Sequence, residues 1–487
     1  MNHLFSINRS LKPQQKPSGS IYTRPEFLFQ FRADWTFSRQ CTGSKGRVSG
    51  FEDQEFDADL EAIATFFHHP LSSIQVDLQW VAMAVYLADR FSPRRPCGGN
   101  AAPCWRRSIK LSVPVVERGR WIAAKAELES LLAFLTEDDW SILFVEGRQR
   151  TNTEIQDWMK GTASSFQHKQ VALFSGGLDS LAGLLNHLEG GHGKWMLVSG
   201  QTHSRMKELQ EKCVEAVAHR YPDRIAWLPV GYGMKMKLDS SAMEPTQRTR
   251  AFVHTALGAI SAMNCGSNHL FLFENGIGSF NLPVDRSQLG SQTSRGTHSA
   301  FLNGMASLVS KLFACDFRIT NPYVFTTKAQ MCSTEAVKLN ADLVGLSFSC
   351  DRFPNYPKKE DQCGVCSSCL LRRAALKASG VNDPGGLYTT DITAHQRLNR
   401  NADEMAFFRT SSQGIEMKRC IASTDPWNAL CGLYPSLRAS MLDAAKHTGQ
   451  RHDEAIAAII GLYRSYWAEW DQFVQLRQGS HHLALVA

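Results

Sequence analysis

Val171-Ala-Leu-Phe-Ser-Gly-Gly-Leu-Asp-Ser180 runs a short apolar stretch into two glycines and out again into a helical pattern, and the reading of the fold starts there. Residues 171–174 read as a strand and 180–188 as a helix, so Ser175 to Ser180 is the tight loop of a strand, loop, helix unit. Gly176 and Gly177 let the backbone approach an anion and turn its N–H groups toward it, while the helix N-terminus adds a favourable dipole. Ser175 and Ser180 can donate hydroxyl hydrogen bonds, and Asp179 can hold Mg2+ against phosphates. An ordinary strand-to-helix turn also accepts glycine. No Gly-x-x-x-x-Gly-Lys-Ser/Thr stretch occurs, so the loop is not of the Walker type.

Outward from the loop, β-type runs at 195–199, 225–230, 269–274 and 343–347 alternate with helical stretches at 204–220, 249–263 and 334–339. That alternation predicts an α/β fold built on a doubly wound parallel sheet. Upstream, 21–145 is mixed, with β-like runs at 26–31 and 108–115 and an apolar-periodic helix at 76–90. A polar stretch, 148–169, follows and is partly helical at 153–159. Downstream, 382–436 shows no sustained period, and 437–447 and 452–476 read as helices, the latter from Ile456, Ile459, Ile460, Tyr463 and Trp467 at helix spacing. The chain thus divides into a mobile polar terminus (1–20), an N-terminal α+β module (21–165), the strand-helix domain (166–385) and a C-terminal, mostly helical extension (386–487). A length of 487 residues fits two or three domains.

Composition excludes several classes. With 43% apolar and 20% charged residues the chain is globular, and a dispersed net charge of +7 permits nucleic-acid binding without implying it. The first thirty residues lack the apolar core of a signal peptide. The longest strongly apolar stretch, 80–88, is bracketed by Asp77 and Asp89, so no membrane span is expected. Thirteen cysteines, an odd number without an export signal, point to reduced thiols and a cytoplasmic location. Cys350, Cys363, Cys366 and Cys369 form C-x12-C-x2-C-x2-C, a spacing that brings four thiolates round one Zn2+. A redox pair or scattered core thiols would leave that spacing unexplained.

The glycine loop and the cysteine cluster, in this order, resemble the 7-cyano-7-deazaguanine synthase (QueC) family of PP-loop ATP pyrophosphatases. Further segments line up with it. Gly200-Gln201-Thr202-His203 is similar to the family's Y-G-Q-R-H stretch, with Ser199 and Thr202 in place of its tyrosine and arginine. Arg248 to Arg250 falls at its G-R-N turn. Asn321-Pro322 with Thr327-Lys328-Ala329 resembles its P-L-x-x-x-x-K-A/T segment. The match covers roughly 171–381.

The resemblance implies an adenine nucleotide alpha hydrolase-like domain that uses ATP, Mg2+ and Zn2+. It makes Asp179, Ser175 and Lys328 the catalytic candidates. ATP contacts would come from Ser175, Gly176, Gly177, Leu178, Asp179, Ser180, Gln201, His203, Arg248 and Arg250. A 7-carboxy-7-deazaguanine-like carboxylate would be adenylated, with release of pyrophosphate, and then attacked by an amine. Taken singly, His203 reads as a structural histidine, and Arg248, Arg250 and Lys328 as surface charges.

Where the family carries S-G-Y-P-D-C-R, this chain has Asn281-Leu-Pro-Val-Asp-Arg286 and Ser294-Arg-Gly-Thr-His298, which leaves the deazapurine contacts unassigned. Extended QueC-like chains of this shape resemble components of bacterial anti-phage systems of the Qat type, in which the deazaguanine passes to a partner protein. The alternatives are free 7-cyano-7-deazaguanine made with ammonia, a PP-loop tRNA-modifying enzyme, or a non-catalytic nucleotide scaffold. A homo-oligomer is compatible with all of them.

Overall fold

The computed structural model describes residues 3–4, 7–8, 26–30, 39–42, 48–50, 55–59, 61–94, 106–147, 170–191, 193–235, 244–284, 295–353, 362–383, 387–390 and 401–478. Its largest sheet has seven strands, in the spatial order His3–Leu4, Glu55–Ala58, Ile225–Lys235, Trp195–Gln201, Gln170–Leu173, His269–Phe271, Arg318–Thr320. The last five are parallel, and Glu55–Ala58 joins them antiparallel to Ile225–Lys235. Gln170–Leu173 sits in the middle, with Leu173 opposite Val198 on one side and Val171 opposite Leu270 on the other. After Ile225–Lys235 the chain crosses from one flank of that strand to the other. The carboxyl end of Gln170–Leu173 therefore faces the crevice of a doubly wound sheet, the place where such folds bind ligands.

Helices on both faces explain why these strands are near-continuously apolar: all seven residues of Trp195–Gln201 are buried. Leu178–Glu189 packs Leu181, Leu184, Leu185 and Leu188 against Trp195 and Leu197 on one face. Arg250–Asn264 and Ser299–Phe313 cover the other. Two stretches depart from the expected alternation. Residues 343–347 form no strand: Ala341–Val344 is a short helix whose Leu343 and Val344 join the cluster around Leu178–Glu189. The fifth parallel strand is instead Arg318–Thr320, only three residues long with Ile319 alone buried, too short to show a period. The helix expected at 153–159 lies outside the described residues.

The N-terminal segment has its own parallel sheet, Glu26–Gln30, Ser108–Val115 and Asp139–Glu146. It does not keep a separate core. Ser73–Arg90 packs on Arg250–Asn264 and Arg118–Thr136 on Ser299–Phe313. One cluster of buried side chains accordingly runs from Val81 and Val85 through Trp121 and Leu128 to Leu257 and Met305.

The stretch 382–436, which showed no period, contains the helices Asn401–Ile421 and Pro426–Leu433. Together with Leu437–Thr448 and His452–Gln478 they form a second cluster, in which Tyr463, Trp467 and Trp470 meet Phe280, Leu282, Val324 and Leu370 of the sheet domain. Among the described residues no helix is long and apolar enough to cross a membrane.

Candidate active site at the glycine loop

At the end of Gln170–Leu173 each glycine answers a separate demand. Gly176 has φ +78°, a left-handed backbone that favours glycine, and its carbonyl accepts from Phe348 N at 2.9 Å. Gly177 caps the helix Leu178–Glu189, and a Cβ there would meet Ser175 Oγ at 3.2 Å and Phe348 O at 3.4 Å. The two serines tie the turn together. Gly177 N donates to Ser175 Oγ (3.2 Å), Ser180 Oγ donates to Gly177 O (2.9 Å), and the two hydroxyls lie 3.2 Å apart. Gln210 Nε2 donates to Ser175 O at 3.3 Å, and Gln201 Nε2 donates to Gln210 Oε1 at 3.1 Å. Among the described residues Gln201 thus reaches the loop through Gln210.

Asp179 stands in the first turn of the helix and binds two groups from the neighbouring part of the sheet. Lys328 Nζ donates to its Oδ2 at 2.6 Å and Asn275 Nδ2 to its Oδ1 at 3.3 Å. Lys328 is only 5% exposed. Burial opposes its charge, and the carboxylates of Asp179 and Glu274 outweigh burial, so its pKa is raised. Glu274 follows the fourth parallel strand, and burial first, and Asp179 next, push its carboxyl well above the usual range. Asn275 Nδ2 also donates to Glu274 Oε1 (2.7 Å), which joins the carboxyls into one unit.

Arg248 and Arg250 line the same cavity, on a turn fixed from outside the sheet domain. Buried Asp89 accepts from Thr249 N (3.2 Å) and Thr249 Oγ1 (2.9 Å), and pairs with Arg107 at 2.6 Å. Burial, and then the charge of Arg94, lower the Arg248 pKa to about 10. His254, also lining the cavity, is 2.7 Å from Tyr232 Oη and is held neutral by burial, with a pKa of about 3. His203 is elsewhere: it is exposed, and its Nδ1 accepts from Arg205 N at 3.1 Å to cap Ser204–Arg220. Neither Gln201 nor His203 lines the cavity.

The cavity measures about 880 Å³ and joins Ser175, Asp179, Arg248 and Lys328 to Gln413, Tyr466 and Trp470 of the C-terminal helices. That places it in the upper part of the usual range for small-molecule sites, about 300–1,000 Å³. The sequence reading missed Glu274, Asn275 and His254. The first two were legible in principle as polar residues at a parallel strand end, the position where such sheets carry ligands. Nothing in the sequence indicated that residues near 410–470 would reach the cavity.

Cys350, Cys363, Cys366 and Cys369 converge as their spacing implied, with all four Sγ atoms within 4.8 Å of one another. Cys363 and Cys369 Sγ are 3.8 Å apart, the edge expected of a tetrahedron with metal–sulfur bonds of about 2.3 Å. Backbone N–H groups of Asp351, Cys363 and Cys366 donate to the sulfurs of Cys366, Cys350 and Cys363 (3.4, 3.5 and 3.3 Å), which favours thiolates. The donor set fits Zn2+. Asp351 and Ser368, beside the cluster, line the cavity, so the cysteine knot shapes its wall.

Residues 296–380 match the family model described as queuosine biosynthesis protein QueC. The chain is similar to 7-cyano-7-deazaguanine synthase of Cupriavidus metallidurans, 28% identical over 235 residues that cover 44% of this chain and 96% of that protein. The same enzyme of Ralstonia pickettii is 28% identical over 233 residues, 44% of this chain and 97% of that protein. That of Aliarcobacter butzleri is 42% identical over 66 residues, 14% and 26% of the two chains. No solved structure matches.

Proposed function

We propose that this chain, which carries a QueC-family segment and is homologous to 7-cyano-7-deazaguanine synthases over about 44% of its length, adenylates a 7-carboxy-7-deazaguanine-like carboxylate with ATP and transfers the acyl group to an amine. The observation that carries the reading is the Asp179–Lys328 pair set against the Ser175–Ser180 loop at the switch point of the sheet.

A carboxylate oxygen of the substrate attacks the α-phosphorus of ATP and pyrophosphate leaves. The loop N–H groups, the N-terminus of Leu178–Glu189 and Lys328 bear the charge that builds on the departing group. Both Asp179 oxygens keep lone pairs beyond those given to Lys328 and Asn275, so Asp179 would hold Mg2+, which neutralises phosphate charge. Arg248 and Arg250 supply further cationic contacts from the Asp89-anchored turn. The amine then attacks the acyl carbon, AMP leaves and the amine proton goes to solvent. Zn2+ held by the four cysteines would be structural, since four protein ligands leave no open position.

In our reading the acceptor amine belongs to a partner protein of an anti-phage system, because the chain extends far beyond the segment its relatives share. Ammonia as acceptor would instead give the amide and, after a second activation, the nitrile. Mass spectrometry of the protein incubated with ATP, Mg2+ and 7-carboxy-7-deazaguanine, with ammonia or with proteins encoded beside it, separates these outcomes. AMP with a mass-shifted protein is the expected result, AMP with free amide or nitrile assigns the small-molecule product, and no AMP under any condition overturns the adenylation.

A further inference from the structure

The C-terminal helices do more than pack against the sheet domain. Gln413, on Asn401–Ile421, lines the cavity and is 8% exposed. Its Nε2 donates to Pro283 O at 3.1 Å and to Tyr434 Oη at 2.9 Å. A carbonyl oxygen can only accept, so the amide nitrogen must face Pro283 and the orientation of the side chain is determined. Both protons of the amide are thereby engaged, while no described residue donates to Oε1. A rigid acceptor is left on the cavity wall.

Its surroundings restrict what it reads. Tyr466 and Trp470, 6% and 2% exposed, line the same cavity from His452–Gln478. The cavity-lining residues of these two helices carry no charge, whereas the cations that line the cavity, Arg248, Arg250, Arg295 and Lys328, all come from other segments. The wall has more hydrogen-bonding capacity than the protein uses: Tyr463 Oη and Trp470 Nε1 are also buried with no partner among the described residues. Flat apolar rings and a fixed acceptor in one cavity suit an uncharged planar heterocycle with N–H groups on its edge.

We propose that Gln413 is a specificity-determining residue, whose Oε1 accepts a hydrogen bond from the N–H edge of a planar bicyclic heterocycle seated against Tyr466 and Trp470, its carboxylate directed to the glycine loop. This rests on the adenylation reading for the identity of the co-substrate, and it places the recognition of the heterocycle in helices beyond the QueC-family match, which ends at residue 380.

The test is calorimetric titration of the full-length protein with 7-carboxy-7-deazaguanine in the absence of ATP, and separately with a non-hydrolysable ATP analogue. Gln413→Met, similar in length but without the acceptor, is expected to weaken heterocycle binding about tenfold, the value of one hydrogen bond to a buried group, and to leave ATP binding within about twofold. Tyr434→Phe removes a neighbour of Nε2 and spares Oε1, so it should leave both affinities unchanged. Tyr466→Leu, which removes a flat ring from the same wall, gives a second reading should Gln413→Met not fold.

Loss of ATP affinity in Gln413→Met would mean that the wall holds adenine, and equal losses in Gln413→Met and Tyr434→Phe would mean a packing role. Either result overturns the proposal, as would unchanged heterocycle binding. Because these titrations need no turnover, they decide the subsite even if the wild-type protein forms no AMP.

Discussion

At the scale of single residues, the centre of the site is a charge balance among three side chains. Lys328 is buried and paired with Asp179, and removal of one partner of a buried pair usually costs about 3–5 kcal/mol. Glu274 changes that expectation. Burial and the charge of Asp179 push its carboxyl up, so an amide at 179 removes the repulsion and favours ionisation of Glu274 against Lys328. Asp179→Asn should therefore keep most of its stability while AMP formation falls by about 100-fold or more, the scale at which a preorganised electrostatic contact acts. The double variant Asp179→Asn/Glu274→Gln leaves Lys328 without a carboxylate and should lose about 3–5 kcal/mol in denaturant titration. If the double variant is as stable as the single one, Glu274 is not the substitute partner.

At the scale of elements, Leu437–Thr448 is fastened to the sheet domain by two histidines. His447 Nε2 accepts from Asn321 N at 3.0 Å, so that nitrogen carries no proton, and Nδ1 donates to Asn303 Oδ1 at 3.0 Å. His298 Nε2 lies 2.9 Å from Ser440 Oγ. Burial lowers both pKa values to about 4, and Arg295 assists at His298. A depressed histidine pKa contributes stability that is present above the unfolded value near 6.5 and is lost as pH falls through the folded value. Between pH 6.5 and 4 each ring should cost at most about 1.4 kcal/mol per pH unit. Chemical denaturation across that window should show the loss, with a shallower slope in His447→Gln. An unaltered slope would place the titration in other groups.

At the scale of the whole molecule, the N-terminal segment and the sheet domain meet in a buried ionic network. Arg107, fully buried, joins Asp89 (2.6 Å) to Asp138, and Arg94 reaches Asp138 at 2.9 Å. Although burial opposes ionisation of Asp89, Arg107 holds its pKa below the ordinary value. The far side of Asp89 grips Thr249, between Arg248 and Arg250. Asp89→Asn should lower global stability by about 3–5 kcal/mol. Well below the melting transition it should also raise the KM for ATP more than it lowers kcat, because the turn bearing Arg248 and Arg250 loses its anchor. A purely structural network would leave KM unchanged in the folded fraction.

The glycine loop, the parallel alternation and the four cysteines were legible because each is a local pattern: backbone freedom at 176 and 177, residues of one period in one stretch, ligands spaced along a short segment. Asn401–Ile421 and Pro426–Leu433 were not legible, since much of their apolar surface is spent on one another and on His452–Gln478, which blurs any single stripe. Arg318–Thr320 was too short to register, and Leu343 and Val344 were apolar for the sake of a helix contact. The sequence by itself determined a glycine loop able to approach an anion and four cysteines spaced to hold one metal ion. Tertiary structure alone decided that Asp179 meets Lys328 across 149 positions, that Asp89 steadies the arginine turn, and that Gln413 faces the cavity. Those contacts join residues far apart in the chain, and only the packing of separate elements brings such residues within reach.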